Sequence, residues 1–304
     1  MTATEQATLS TLDWPGTLVE TDWLAANLEH PELRIVDIRG EVRSLAQEDG
    51  TRKSEYLAAR GDYDAGHIPG ASFIDWTVDI VDLDDPITAQ LAPPERFAAF
   101  LGSLGIGDDS RIVIYDNQGR AFATRLWWAL TYYGHEHVAI LNGGWEKWRA
   151  EGRAIDTVVP ARAPATLTPK AGRLGRKTGQ EVLEHVQLGD AIIVDALRRG
   201  QYTGEEQRGG AASGHIPGAL NLPYLDLYTP AGTWKPEDEL RATIADAGIG
   251  DDERPIVAYC GGGVSATAVL FALDRLGRHG HNYDGSWNEW GNNPQFPTRQ
   301  GEQP

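Results

Sequence analysis

Hydrophobic positions along the chain fall into two alternating patterns. Short, continuous β-branched runs at 34–38, 112–115, 138–141, 192–195 and 256–259 predict strands buried on both faces. Between them, apolar residues return at three- and four-residue spacing. Residues 94–104 place Phe97, Phe100, Leu101 and Leu104 on one face, and 237–247 follow the same plan. Thr21-Asp22-Trp23-Leu24 opens another helix, with the threonine placed as its cap. Strands alternating with helices predict an α/β fold with mainly parallel sheets flanked by helices.

The same elements occur twice. Ile35-Val-Asp-Ile-Arg39 is echoed by Ile193-Val-Asp-Ala196, and Gly66-His-Ile-Pro-Gly-Ala71 recurs unchanged as Gly214-His-Ile-Pro-Gly-Ala219. Arg111-Ile-Val-Ile-Tyr115 returns as Pro255-Ile-Val-Ala-Tyr259, and Leu141-Asn-Gly-Gly-Trp145 as Tyr283-Asp-Gly-Ser-Trp287. Four matches in one order indicate a duplicated domain. The shrinking offset between them places extra chain in the first half, chiefly between Arg39 and Gly66. The expected layout is a first domain at 15–155, a linker at 156–165 and a second domain at 166–304. The linker begins an Ala-, Pro- and Thr-rich stretch that runs to Lys170.

Composition narrows the function. The 304 residues carry a net charge of −17, which disfavours nucleic acid and anionic membranes as partners. That charge is uneven: residues 1–155 hold 25 acids and 13 bases, residues 156–304 hold 19 and 14. The acidic positions Asp75, Asp79, Asp82, Asp84 and Asp85 read as a solvated loop. No apolar stretch reaches the roughly 18 residues of a membrane span, and no basic-then-apolar leader opens the chain. Residues 1 to about 14 read as a polar tail. The single cysteine, Cys260, can form neither an internal disulfide nor a thiolate metal cage. Together these features predict a soluble, reduced, cytoplasmic protein.

Cys260 is where chemistry concentrates. It follows a strand, precedes Gly261-Gly262-Gly263, and Val264-Ser265-Ala266 then leads into a helical pattern. Ligands of open α/β sheets bind at that end of the strands. Inward-curling N–H groups and a helix N-terminus there favour a thiolate, a persulfide or an oxyanion. The repeat puts Asp116 in the position of Cys260, followed by Asn117-Gln118-Gly119-Arg120, so only the second half can use a thiol.

Three cysteine chemistries compete. A cysteine-dependent phosphatase needs an arginine six residues after the thiol, and position 266 is alanine. A cysteine hydrolase needs a histidine base, for which His215 and His279 are available. A persulfide-forming sulfurtransferase needs neither. His67 and His215, each before Ile-Pro-Gly, are expected to be structural hydrogen bonders. Trp145/Trp148 and Trp287/Trp290 are expected to pack helix faces, and Asn142-Gly143 and Asp284-Gly285 to form turns.

The duplicated GHIPGA, the Cys-Gly-Gly-Gly-Val-Ser-Ala loop and Asp284-Gly-Ser-Trp-Asn-Glu-Trp-Gly291 together resemble the tandem-domain rhodanese family over residues 18–300. The resemblance implies two rhodanese domains, the first inactive, with the active site near their interface. It implies no cofactor, and a sulfane sulfur carried by Cys260 from thiosulfate or 3-mercaptopyruvate to cyanide or another thiophilic acceptor. Gly261, Gly262, Gly263, Val264 and Ser265 would cradle the sulfur, Arg208, Arg198 or Arg199 would bind the small anionic donor, and Phe122 would line the pocket. The loop is similar to the mercaptopyruvate branch, except that Gly262 stands where that branch often has serine. The alternative to an enzyme is a catalytically idle rhodanese-like interaction or sulfur-carrier module.

Overall fold

Each β-branched run becomes a strand covered on both faces, and each amphipathic segment becomes a helix laid across them. The computed structural model describes residues 12–46, 52–117 and 121–304. The first half runs β1 (Leu18–Val19), α1 (Thr21–Asn27), β2 (Leu33–Asp37), β3 (Gly40–Ala46), β4 (Arg52–Ala58), α2 (Arg60–Ala65) and β5 (Ala71–Phe73). It continues with α3 (Pro94–Ser103), β6 (Arg111–Tyr115), α4 (Phe122–Tyr132), β7 (Val138–Leu141) and α5 (Gly144–Ala150). The second half runs β8 (Gly175–Lys177), α6 (Gly179–Leu188), β9 (Ile192–Asp195), α7 (Arg199–Thr203) and β10 (Leu220–Asn221). A 3₁₀ turn (Tyr224–Leu227), α8 (Glu237–Asp246), β11 (Ile256–Tyr259), α9 (Ala266–Arg275), β12 (His281–Tyr283) and α10 (Ser286–Trp290) complete it.

The two five-stranded sheets have one topology, β1-β7-β6-β2-β5 and β8-β12-β11-β9-β10, and every pairing within them is parallel. Register repeats as well: Ile35 pairs with Val113, and Ile193 with Val257. Parallel strands require crossover connections, which the helices supply. The extra chain of the first half forms an antiparallel hairpin, β3–β4, with no counterpart in the second. Its lack of a clean alternating pattern hid it in the sequence.

Two local expectations are corrected and a third is extended. Leu12 is buried and Trp14 meets Trp23 edge to face at 5.6 Å, so the end of the expected polar tail packs on the fold. Residues 1–11 lie outside the described residues. Thr21 is the first residue of α1 rather than its cap, and its hydroxyl donates to Glu151 across the domain. The acidic loop also does local work: the Asp75, Asp82 and Asp85 side chains accept from the N–H groups of Thr77, Asp84 and Ile87, closing successive turns.

One apolar core runs through both halves, joined where α4 lies on α9 and Trp127 meets Phe271 edge to face at 4.8 Å. The hydrogen bonds across this interface come in related pairs. Asn142, after β7, accepts from the Trp234 N–H at 2.9 Å; Asp284, after β12, accepts from the Leu91 N–H at 2.9 Å. Residues 151–174 carry no helix or strand and run along the first half, with Ala165 N–H on the Gly102 carbonyl and Gly172 N–H on that of Tyr132.

Candidate active site

Strand β11 ends at Tyr259 and delivers Cys260, 2% exposed, to the carboxyl edge of the second sheet, at the interface between the halves. The Cys260 N–H donates to Ser286 Oγ at 3.1 Å, and its carbonyl accepts from the Trp287 N–H at 3.1 Å. Ser286 holds a φ of 47°, a strained region for serine, and its hydroxyl also donates to the Tyr283 carbonyl. The strain places that oxygen under the thiol loop.

Among the described residues, the backbone N–H groups from Gly261 to Ser265 meet no protein acceptor, so the loop presents unengaged donors ahead of α9. The three glycines are not equivalent. Gly263 has a φ of +73°, and a Cβ there would stand 2.6 Å from the Asp284 carbonyl oxygen, so only glycine fits. At Gly262 a Cβ would lie 2.8 Å from Asn288 Nδ2 and 3.1 Å from Tyr56 Oη. At Gly261 it would meet nothing within 4 Å.

The loop forms part of a cavity of about 390 Å³. Tyr56 from the hairpin and Phe122 from the start of α4 supply the first-half wall, Leu197 and Tyr224 the opposite one. The first half also grips the loop. Arg125 donates to the Gly263 carbonyl at 3.2 Å, to the Ala89 carbonyl at 2.8 Å and to Asp284 at 2.5 Å. Arg176 adds a second guanidinium 3.1 Å from Asp284, which is completely buried.

The three candidate arginines separate. Arg208 has its guanidinium sealed among Asp195 (2.7 and 3.1 Å), the Gly214 carbonyl (2.8 Å) and, at 3.4 Å, the Cys260 carbonyl. Its side chain is 0% exposed and forms part of the cavity wall with its guanidinium engaged by Asp195, where it supports the Cys260 backbone. Burial is the largest influence and lowers its pKa, but Asp195, Tyr259 and Cys260 together leave it raised. Arg198 lines the cavity and pairs with Glu206 at 2.8 Å, both largely exposed. Arg199 pairs with Glu302 at 2.9 Å and does not reach the cavity.

Arg208 has a spatial twin. Arg39 grips Asp37 and the Gly66 carbonyl and stacks 4.3 Å from the Trp145 ring, as Arg208 grips Asp195 and Gly214 and stacks 4.5 Å from Trp287. Asp116, in the place of Cys260, is buried and accepts from the Ala123 N–H at 2.9 Å. Burial, reinforced by Glu146 and Asp37, pushes its carboxyl up to about 8. The void beside it is about 20 Å³, room for a water but not a donor.

Neither candidate histidine base lines the thiol cavity. His215 is buried between the Tyr202 carbonyl at 2.8 Å and that of Gln303 at 3.1 Å, and burial lowers its pKa. His67 sits in the same way between the Tyr63 and Val158 carbonyls. His279 pairs with Asp274 at the surface. The four tryptophans pack α5 and α10 into the outer cores. Sequence reasoning missed Tyr56, Ser286, Arg125 and Asp284; the available signal was asymmetry, because Asp284 replaces Asn142 and Arg125 replaces Ala268 between the repeats.

Parallel sheets covered on both faces and a thiol in a strand–glycine–helix turn define a duplicated α/β class with its one cysteine at the carboxyl edge of a sheet. The rhodanese-like domain family matches twice, over residues 20–151 and 178–293, and the chain belongs to it. It is 35% identical to the sulfur carrier protein TtuD of Thermus thermophilus over 302 residues, 95% of this chain and 98% of that one. It is also 35% identical to the thiosulfate sulfurtransferase of Cricetulus griseus, covering 90% and 91% of the two chains. Among solved structures it is similar to SseA, a 3-mercaptopyruvate sulfotransferase of Escherichia coli, with a TM-score of 0.76 at 32% identity over 90% and 99% of the two chains. No helix among the described residues is long and apolar enough to cross a membrane.

Proposed function

We propose that the protein is a sulfurtransferase that carries a sulfane sulfur on Cys260, loaded by thiosulfate or 3-mercaptopyruvate and discharged to a thiol or cyanide. The observation that carries this reading is the position of Cys260 in a loop of unengaged amides, facing a cavity sized for a small donor. With thiosulfate, the Cys260 thiolate attacks the outer sulfur; the new S–S bond forms as the old one breaks, and sulfite leaves with the electron pair. With 3-mercaptopyruvate, the C–S bond breaks, its electron pair goes to carbon, and the thiol proton ends on carbon as pyruvate. Amides including those of Gly262 and Gly263 stabilise the charged sulfur, as donors do in an oxyanion hole. The donor's sulfonate or carboxylate meets Arg198 at the rim, since an exposed pair such as Arg198–Glu206 contributes little and opens readily. Asp116 leaves the first half without a thiol, so one site per chain operates.

A carrier reading is favoured by one observation: among the described residues, every arginine lining the cavity already faces a carboxylate. A module that takes sulfur from a partner protein needs no held anion. Intact mass after incubation with each donor separates the readings. Addition of one sulfur atom to wild type but not to Cys260→Ser supports the enzyme and identifies its donor. Failure of both small donors would falsify it, and loading only by a protein persulfide would establish the carrier.

A further inference from the structure

Position 262 and the hairpin of the other half are coupled. Tyr56 Oη stands 3.1 Å from where a Cβ on residue 262 would be, and Asn288 Nδ2, which donates to that oxygen at 3.3 Å, stands 2.8 Å from it. A side chain on the loop and Tyr56 therefore compete for one volume. The Tyr56 ring is fixed edge to face on Trp76 at 5.4 Å, and Asn288 is fixed by its N–H on the Gly261 carbonyl at 2.8 Å. The phenol is thus held at the wall of the thiol cavity from both halves of the protein.

We infer that Tyr56 is a catalytic residue for donors whose sulfur arrives as a thiol. This inference rests on the sulfurtransferase reading. When such a thiol reacts with the Cys260 thiolate, an S–S bond forms, the C–S bond breaks and its electron pair passes to carbon. The S–H proton must then travel from sulfur to that carbon. A phenol that accepts one proton while releasing its own carries it with no net change, and it needs no further reagent. Thiosulfate requires no such transfer, because sulfite leaves as a dianion. Tyr56 therefore distinguishes the two donor classes, and it does so from the half that lacks a thiol.

The test measures the sulfur-loading rate of wild type and Tyr56→Phe with 3-mercaptopyruvate and with thiosulfate, as a function of pH. Tyr56→Phe keeps the ring on Trp76. The expected result is a loss of roughly 10- to 100-fold with 3-mercaptopyruvate, the order typical of a removed proton-transfer group, and less than about 3-fold with thiosulfate. In the Tyr56→Phe background, Gly262→Ser is expected to recover part of the lost rate by returning a hydroxyl to the same volume. Alone, Gly262→Ser is expected to impair both donors by crowding Tyr56 and Asn288. Equal losses with both donors, no loss, or wild type that loads with thiosulfate alone would overturn the role of Tyr56 and leave the sulfurtransferase intact. Loading by neither donor would overturn both.

Discussion

Thr124 and Thr267 place their hydroxyls 2.9 Å apart across the interface, and each is the other's counterpart in the repeat. Both lie in an Ala-Thr-x-x-x-x-Ala-Leu segment, one in α4 and one in α9. A residue that touches its own copy marks a two-fold axis, as in an isologous dimer. The paired contacts Asn142–Trp234 and Asp284–Leu91 obey the same axis. Arg125 breaks it, because its counterpart is Ala268.

Arg125→Met leaves the buried Asp284 with Arg176 and the Leu91 N–H and removes a donor from the Gly263 carbonyl. Breaking one side of a buried ion pair costs about 3–5 kcal/mol. Urea unfolding is expected to show a loss near the lower end, because Arg176 remains, together with slower sulfur loading in the folded protein.

Arg208→Lys tests whether the buried guanidinium supports the fold or holds the donor. A lysine cannot reproduce the forked contacts to Asp195 and Gly214 or the stacking on Trp287. The expected outcome is a lower Tm with KM for either donor changed by less than about 3-fold, where a lost donor contact worth 1.4 kcal/mol would raise it about tenfold. A large rise in KM with an unchanged Tm would return Arg208 to the donor site.

Asp116 makes stability depend on pH. Burial holds its folded carboxyl at about 8, above the ordinary value of 3.8, so the folded state keeps a proton that the unfolded chain releases. That stabilisation is complete below the ordinary value and is lost as pH rises through about 8. Asp116→Asn is therefore expected to raise Tm more at pH 8.5 than at pH 5, measured in thermal melts across that range. A uniform shift at both values would contradict the assignment.

Gly261→Lys is expected to fold normally, since nothing lies within 4 Å of its Cβ direction. It adds a cation beside a dianionic donor at a site where every described lining arginine is paired. The KM for thiosulfate should fall several-fold at low salt, and the gain should shrink as salt rises. Gly263→Ala, by contrast, is expected to abolish loading, because its Cβ would collide with the Asp284 backbone.

The strands, the duplication and the thiol were legible because each rests on a local pattern: a β-branched run, a repeated GHIPGA, a cysteine between strand and glycines. What the sequence hid depends on distance in space. Asp284 reads as a turn residue until Arg125, 159 positions earlier, is seen against it. Tyr56 is one aromatic in an irregular insertion until the fold brings it to Asn288, 232 positions away. Arg208 shows the same limit in another form. It fills the place that Arg39 reaches only two residues after Asp37, whereas Arg208 lies 13 after Asp195. Spacing along the chain differs between the repeats, while the packing of the charges does not.

The β3–β4 hairpin shows what fusing two copies into one chain allows. In a symmetric dimer of identical subunits, an added hairpin would cover both sites or neither, and a change that suited one thiol would be imposed on its twin. Here the hairpin stands in one half and walls the cavity beside Cys260 in the other, so scaffold and thiol are free to vary independently. The half without a thiol acts as a private subunit, building a wall that it never has to share.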